Sequence, residues 1–161
     1  MELIEIKNNN ISDYETERGK PMPDLNHSII QGNLLFSLRL ETHGKYTILP
    51  EINLELPIRD RVPDLAIYPP IAFNPDDNEI RMSQPPLCAV EILSEKQSLH
   101  ELLKKRSDYF IVGIKSYWLV VPALRNIYVF DTVNDYTIFT HKDTLKDNNL
   151  GIELDLKEVF K

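Results

Sequence analysis

Leu87-Cys88-Ala89-Val90-Glu91-Ile92-Leu93 is the most continuously apolar stretch of the chain, and a single acid interrupts it. A short apolar run without alternation predicts a central strand buried on both faces. Such a strand needs a covering layer on each side, and helices are the usual cover. Glu91 is the anomaly in the run. A carboxylate in those surroundings is costly unless it finds a cation, a hydrogen-bond network or a raised pKa.

The covering helices are found on either side of this strand. Downstream, Ser98 to Val112 predicts a helix with Leu99, Leu102, Leu103, Tyr109 and Phe110 on one face. Ser98 with Glu101 fits a capping box, and Gly113 fits a left-handed stop. Tyr117 to Val121, Ile127 to Asp131 and Tyr136 to Thr140 then alternate as antiparallel strands do. Ile152 to Phe160 reads as a short strand or helix. Upstream, Asp24 to Thr42 predicts a helix whose apolar face is Leu25, Ile29, Leu35/Phe36 and Leu40, with Gly44 just past its end. Tyr46 to Leu49, Ile52 to Leu56 and Leu65 to Tyr68 read as short strands. Ile71 to Pro86 reads as a long loop. The order predicts a mixed α/β fold, a central sheet flanked by helices.

Composition narrows the class. The chain has 161 residues, which predicts one domain over residues 1–161. Hydrophobic residues are 42% and charged residues 27%, as in an ordinary globular chain. No run approaches the roughly 18–20 apolar residues of a membrane span. The opening MELIEIKNNN has no basic region before an apolar core, so no signal peptide is expected. Cys88 stands alone, so an internal disulfide and a CxxC metal site are excluded, and a buried, inert thiol is expected. The expected compartment is the cytoplasm. Lysine plus arginine total 18 against 25 acids, a net charge of −7. No global basic field attracts nucleic acid, although a local basic face remains open. Five scattered glycines provide no phosphate cradle, and there is no GxSxG, Walker or GxGxxG motif. The four histidines lack HxxxH or HExxH spacing, which argues against a zinc hydrolase.

Two acids carry the candidate chemistry. Asp64 opens a short strand after Pro63, and Glu91 lies 91 − 64 = 27 residues later. Two carboxylates with a carbonyl and waters suit a hard divalent cation such as Mg²⁺. A cation so held polarises a phosphate and lowers the pKa of a bound water. The residues alone leave a second reading, in which Glu91 pairs with a lysine or arginine and Asp64 caps a turn. Lys104-Lys105-Arg106, on the second helix, supplies either a lysine for that site or a solvated face with Glu101 paired to Lys105. His27 is a structural or substrate-contact residue on this reading, while Tyr109, Tyr117 and Trp118 are core residues.

These residues, in order, resemble the Uma-two family of restriction-endonuclease-like proteins. The resemblance rests on Arg61-Val62-Pro63-Asp64-Leu65-Ala66-Ile67, on Val90-Glu91-Ile92-Leu93-Ser94, on Lys105 with Tyr109, and on Gly113 followed by Tyr117-Trp118-Leu119-Val120. Tyr14-Glu15, Gly19, Met22-Pro23 and His27 resemble the family's opening. The likeness spans roughly Tyr14 to Phe130. It implies the PD-(D/E)XK nuclease fold, with Asp64 and Glu91 holding Mg²⁺ (Mn²⁺ as a substitute) and Glu15 as an additional acid. In the plain motif a lysine stands two residues after the glutamate; here that position is Leu93. The resemblance implies a helix lysine instead, Lys105, with Lys104 as the fallback.

The expected activity is Mg²⁺-dependent hydrolysis of DNA phosphodiester bonds. The alternative is a non-catalytic module on a degenerate nuclease fold, binding nucleic acid or protein, motivated by the net charge and by Leu93. Basic residues gathered around Asp64 and Glu91 would favour nucleic acid. The aromatic and β-branched strands after Gly113 could also present an edge that pairs two chains, so a homodimer is a further expectation.

Overall fold

The structure is a computed structural model that describes Glu15, Thr16 and residues 19–161. Helix α1 spans Leu25–Thr42 and leads into strands β1 (Thr47–Pro50), β2 (Asn53–Leu54), β3 (Leu65–Tyr68), β4 (Arg81–Met82) and β5 (Cys88–Ile92). Helix α2 (Leu99–Ile111) is followed by β6 (Ser116–Val121), a 3₁₀ turn, β7 (Asn126–Phe130) and β8 (Tyr136–Thr140). The chain closes with β9 (Thr144–Asp147), β10 (Ile152–Asp155) and the one-turn helix α3 (Leu156–Val159).

Six strands form the central mixed sheet in the order β1-β3-β5-β6-β7-β8. Only the β5–β6 pair is parallel, and α2 makes the crossover between them. All five residues of β5 are buried, as expected of a strand covered on both sides. Alternation sorts its side chains. Cys88, Val90 and Ile92 join Ile30, Leu34 and Leu38 of α1, together with apolar residues of β9, β10 and α3. Ala89 joins Leu102 and Tyr109 of α2 on the opposite face, with Tyr117 and Leu119 of β6. Glu91, two residues from Ala89, faces α2 by the same period.

The helix ends follow local chemistry. Asp24 Oδ1 accepts a hydrogen bond from the His27 backbone N–H at 2.8 Å and caps α1. Ser98 Oγ accepts from the Glu101 N–H at 3.2 Å and caps α2. Gly113, at φ +89°, turns the chain out of α2 in a conformation that L side chains rarely adopt.

The buried face of α1 differs from the one expected. Leu25 is 74% exposed, and Ile29, Phe36 and Leu40 also face outward. The buried stripe is His27, Ile30, Leu34, Ser37, Leu38 and Thr42. It has helical spacing, but its polar members disguise it. Each of two is accommodated: Thr42 Oγ1 donates to the Leu38 carbonyl at 2.7 Å, and His27 meets Asp64. On α2 the buried residues are Leu102, Lys105 and Tyr109, whereas Leu99 is exposed. The expected strand over Ile52 to Leu56 contracts to β2, which pairs with β4 in a small parallel sheet. β4 itself lies inside the segment expected to be a loop. The tail is both strand and helix, and β9, unforeseen, pairs with β10 as a hairpin. Its Asp147 is 2% exposed and ties the hairpin to the core, accepting from Trp118 Nε1 at 2.8 Å and Ser116 Oγ at 2.9 Å. Cys88 is fully buried, as expected, and burial pushes its thiol pKa well up. Among the described residues no helix is long and apolar enough to cross a membrane.

Candidate functional site

Strand register builds the site. β3 and β5 run antiparallel with Leu65 opposite Val90 and Ala66 opposite Ala89. One further step in that ladder sets Asp64 opposite Glu91. Asp64 has no exposure and Glu91 is 1% exposed. Two buried carboxylates side by side require compensation, and Lys20, His27, Lys105, Tyr109 and the Ile92 backbone N–H supply it.

Asp64 is held at both oxygens. Its Oδ1 lies 2.6 Å from Lys20 Nζ and 3.0 Å from His27 Nε2. Its Oδ2 accepts the Ile92 backbone N–H at 2.7 Å. Burial alone would raise its pKa. The hydrogen bond from His27 and the charge of Lys20 outweigh burial and hold it down at about 2. His27 Nδ1 is buried without a hydrogen-bond partner. The tautomer that fits therefore carries its hydrogen on Nε2, toward Asp64.

Glu91 is gripped from α2. Tyr109 donates its hydroxyl to Oε1 at 2.8 Å, and Lys105 Nζ lies 3.7 Å from Oε2. Lys20 Nζ reaches the same Oε2 at 3.9 Å. Burial pushes the Tyr109 phenol well up, and the Glu91 charge pushes it further, so the phenol stays a donor. For Lys20, burial lowers the pKa, but Glu91, Asp64 and Glu51 together overcome it and raise the value above that of a free lysine.

The expected site residues are therefore distributed as follows. Asp64 and Glu91 are brought together. Lys105 is buried and turned toward Glu91, and Lys104 is exposed, so the helix lysine beside the acids is Lys105. Glu15 Oε1 accepts the Met22 N–H at 2.9 Å, across the turn that carries Lys20. Tyr109 is a core residue, as expected, and also a partner of Glu91. Elsewhere, Arg61 pairs with Asp108, Arg81 with Asp60, Lys146 with Glu153 and Lys161 with Glu158.

Sequence reasoning missed Lys20 and Glu51. Lys20 lies in a turn before α1, and no helical or strand period announces where its side chain goes. Glu51 follows Pro50 and adopts φ +55°, a strained conformation for a residue with a side chain. Its N–H donates to the Asp64 carbonyl at 3.2 Å. Gln31 Nε2 ties the pair together, donating to that carbonyl at 3.0 Å and to Glu51 Oε1 at 3.2 Å. No sequence signal announces this role of Glu51, since its positive φ is visible only in the fold.

No group of three or more His, Cys, Asp or Glu side chains among the described residues is arranged to hold a metal ion. The donor set is two carboxylates with His27 engaged on one of them. That set does not suit zinc, which is usually held by at least three protein ligands. It does suit Mg²⁺, which binds through one or two carboxylates and completes its shell with waters and substrate phosphates. A cleft of about 560 Å³ opens where the chain leaves β5 and β6, lined in part by Leu93, Ser94 and Gln97. Asp64, Glu91 and Lys105 are not among its lining residues.

Comparison with known proteins places the chain. A model of the Uma2 family, described as "Putative restriction endonuclease", matches residues 5–157. A solved structure described as a "putative nuclease belonging to DUF820", from Anabaena variabilis ATCC 29413, superposes with a TM-score of 0.76 at 20% identity. The match covers 87% of this chain and 83% of that one, so the two share a fold. No curated protein sequence matches.

Proposed function

The chain belongs to the Uma2 family, and from that premise we propose that it is a Mg²⁺-dependent nuclease that hydrolyses DNA phosphodiester bonds. The observation that carries this reading is the meeting of Asp64, just before β3, and Glu91 of β5 at the end of the Leu65–Val90 ladder, with Lys105 at 3.7 Å from Glu91. Asp64 and Glu91 would hold the cation, and Glu15 is the further acid implied by the family resemblance. A divalent ion held there supplies Lewis-acid polarisation of a phosphate and a more acidic water. Lys105 places a fixed positive charge beside Glu91, where negative charge develops on the phosphoryl oxygens. Tyr109 fixes the Glu91 carboxylate by one oxygen and leaves the other toward the lysines. His27 orients Asp64 in the same way.

The second reading is a non-catalytic module on the same fold. Leu93 stands where the plain motif has its lysine, and Lys20 already neutralises Asp64 from within the chain. The deciding experiment is calorimetric titration of Mn²⁺ into the wild-type chain, Asp64→Asn and Glu91→Gln, followed by a Mg²⁺-dependent cleavage assay on DNA. Saturable binding lost in both variants, with cleavage lost alongside, is expected of the nuclease. Metal binding without cleavage selects the module. Cleavage retained by folded Asp64→Asn overturns the proposed site.

A further inference from the structure

The acid pair already contains a cation, and it belongs to the chain. Lys20 Nζ lies 2.6 Å from Asp64 Oδ1 and 3.9 Å from Glu91 Oε2, which makes it the one ammonium among the described residues to touch both carboxylates. Lys20 is only 7% exposed. Among the described residues, Lys20, His27 and the Ile92 N–H already donate to the Asp64 carboxylate. Magnesium requires oxygen ligands at about 2.0–2.1 Å in near-ideal octahedral geometry. An ion at that distance from Asp64 Oδ1 competes with the ammonium for the same lone pairs, and two cations so close repel strongly in a buried site.

We propose that Lys20 is a tethered cation that fills the Asp64–Glu91 site in the metal-free protein and must withdraw before a divalent ion enters. The inference rests on the metal-binding reading above and adds a competition internal to the chain. Lys20 is placed to withdraw. It stands in a short turn between Gly19, at φ +67°, and Pro21, outside any helix or strand, so its departure breaks no ladder of backbone hydrogen bonds. Lys105, by contrast, is fixed by a thirteen-residue helix and stays beside Glu91. The two lysines therefore have different parts: Lys105 is a permanent neighbour of the site, and Lys20 stabilises its empty form.

Mn²⁺ affinity measured by calorimetry, with EDTA-treated protein as the starting state, tests the competition. Lys20→Met is expected to bind Mn²⁺ at least about tenfold more tightly than the wild type, because an apparent dissociation constant is divided by the binding-competent fraction. The metal-free Lys20→Met protein is expected to melt lower than the wild type and to recover more on Mn²⁺ addition. Equal or weaker Mn²⁺ binding by Lys20→Met, in a chain whose wild-type binding depends on Asp64, overturns the inference and leaves the metal site standing. Absence of Mn²⁺ binding in the wild type and in Lys20→Met alike overturns both. A second measurement needs no variant that must fold. In the unaltered chain, the Lys20 ammonium ¹H–¹⁵N signal is expected to be protected from water exchange and to lose that protection at saturating Mg²⁺. Protection that persists at saturation overturns the inference.

Discussion

Tyr109 donates its hydroxyl to Glu91 Oε1 at 2.8 Å, while Lys105, one helical turn earlier on α2, stands 3.7 Å from the other oxygen of the same carboxylate. The i,i+4 spacing places both side chains on one face of the helix. That face covers β5, where alternation points Glu91 at it. A buried carboxylate thereby receives a neutral donor on one side and a charge on the other.

Removing the neutral donor should cost stability before it costs charge compensation. Tyr109→Phe keeps the ring packed against Tyr117, whose centroid lies 5.7 Å away. It leaves Glu91 Oε1 short of a donor within the core. The expected loss is about 1–3 kcal/mol, the usual penalty for an unsatisfied buried group. Urea unfolding should show a lower midpoint with an unchanged slope. An unchanged midpoint would mean that water replaces the phenol.

The two lysines of α2 should separate cleanly. Lys105→Met removes the charge beside Glu91, and a loss of at least about 10²-fold in Mg²⁺-dependent DNA cleavage is expected, the scale seen when one preorganised electrostatic group is removed. Lys104 is exposed, so Lys104→Met should cleave like the wild type. Equal losses in both would point to a general effect of helix charge on substrate attraction rather than to a site lysine, and repeating the assay at higher salt would expose it.

This contrast also marks what the residues alone could disclose. Glu91 was legible because a charge inside an apolar strand demands an explanation, and Asp64 because it stands immediately before the neighbouring strand. Lys105 was legible from family resemblance, whereas its spacing permitted a solvent-facing pair with Glu101. The helices were placed to within a residue or two, since capping and spacing are local. The buried face of α1 was not legible, because His27, Ser37 and Thr42 occupy it and find partners only in the folded chain. Lys20 and Glu51 were invisible for the same reason. Their side chains meet Asp64 and its surroundings through turns, where no sequence period reports direction. The β9–β10 hairpin was missed because its buried residues, Leu145 and Asp147, alternate over only four positions.

Acid should weaken the fold through Asp64. Its pKa is about 2 in the folded chain against 3.8 for a free aspartate. A carboxyl whose folded pKa is depressed contributes stability at pH values above the unfolded pKa. That contribution is lost as pH falls from about 4 towards 2. A depression of this size corresponds to about 2 kcal/mol. Stability measured by urea unfolding between pH 5 and pH 2 should fall for the wild type, and the Asp64 share of that fall should vanish in Asp64→Asn. Identical acid limbs for the two proteins would show that Lys20 and His27 do not hold Asp64 ionised.

Asp147 offers the converse case, a buried acid that holds the fold together away from the candidate site. Its Oδ2 accepts from Trp118 Nε1 at 2.8 Å, and its Oδ1 accepts from Ser116 Oγ at 2.9 Å and from the Asn149 and Leu150 N–H groups at 3.1 and 3.2 Å. Trp118 lies on the α1 face of β6, opposite the face that Glu91 and α2 share. Asp147→Ala strands the indole N–H and the serine hydroxyl in the core and frees the turn after β9. The expected cost is about 3 kcal/mol, more than one unsatisfied group alone would exact. Thermal unfolding should show the loss directly. Mn²⁺ affinity, measured at a temperature where the variant remains folded, should match the wild type, whereas Asp64→Asn, measured where it too remains folded, should lose affinity. If Asp147→Ala also lost metal affinity while folded, the two faces of the sheet would be coupled, and the separation between the structural acid and the site acids would fail.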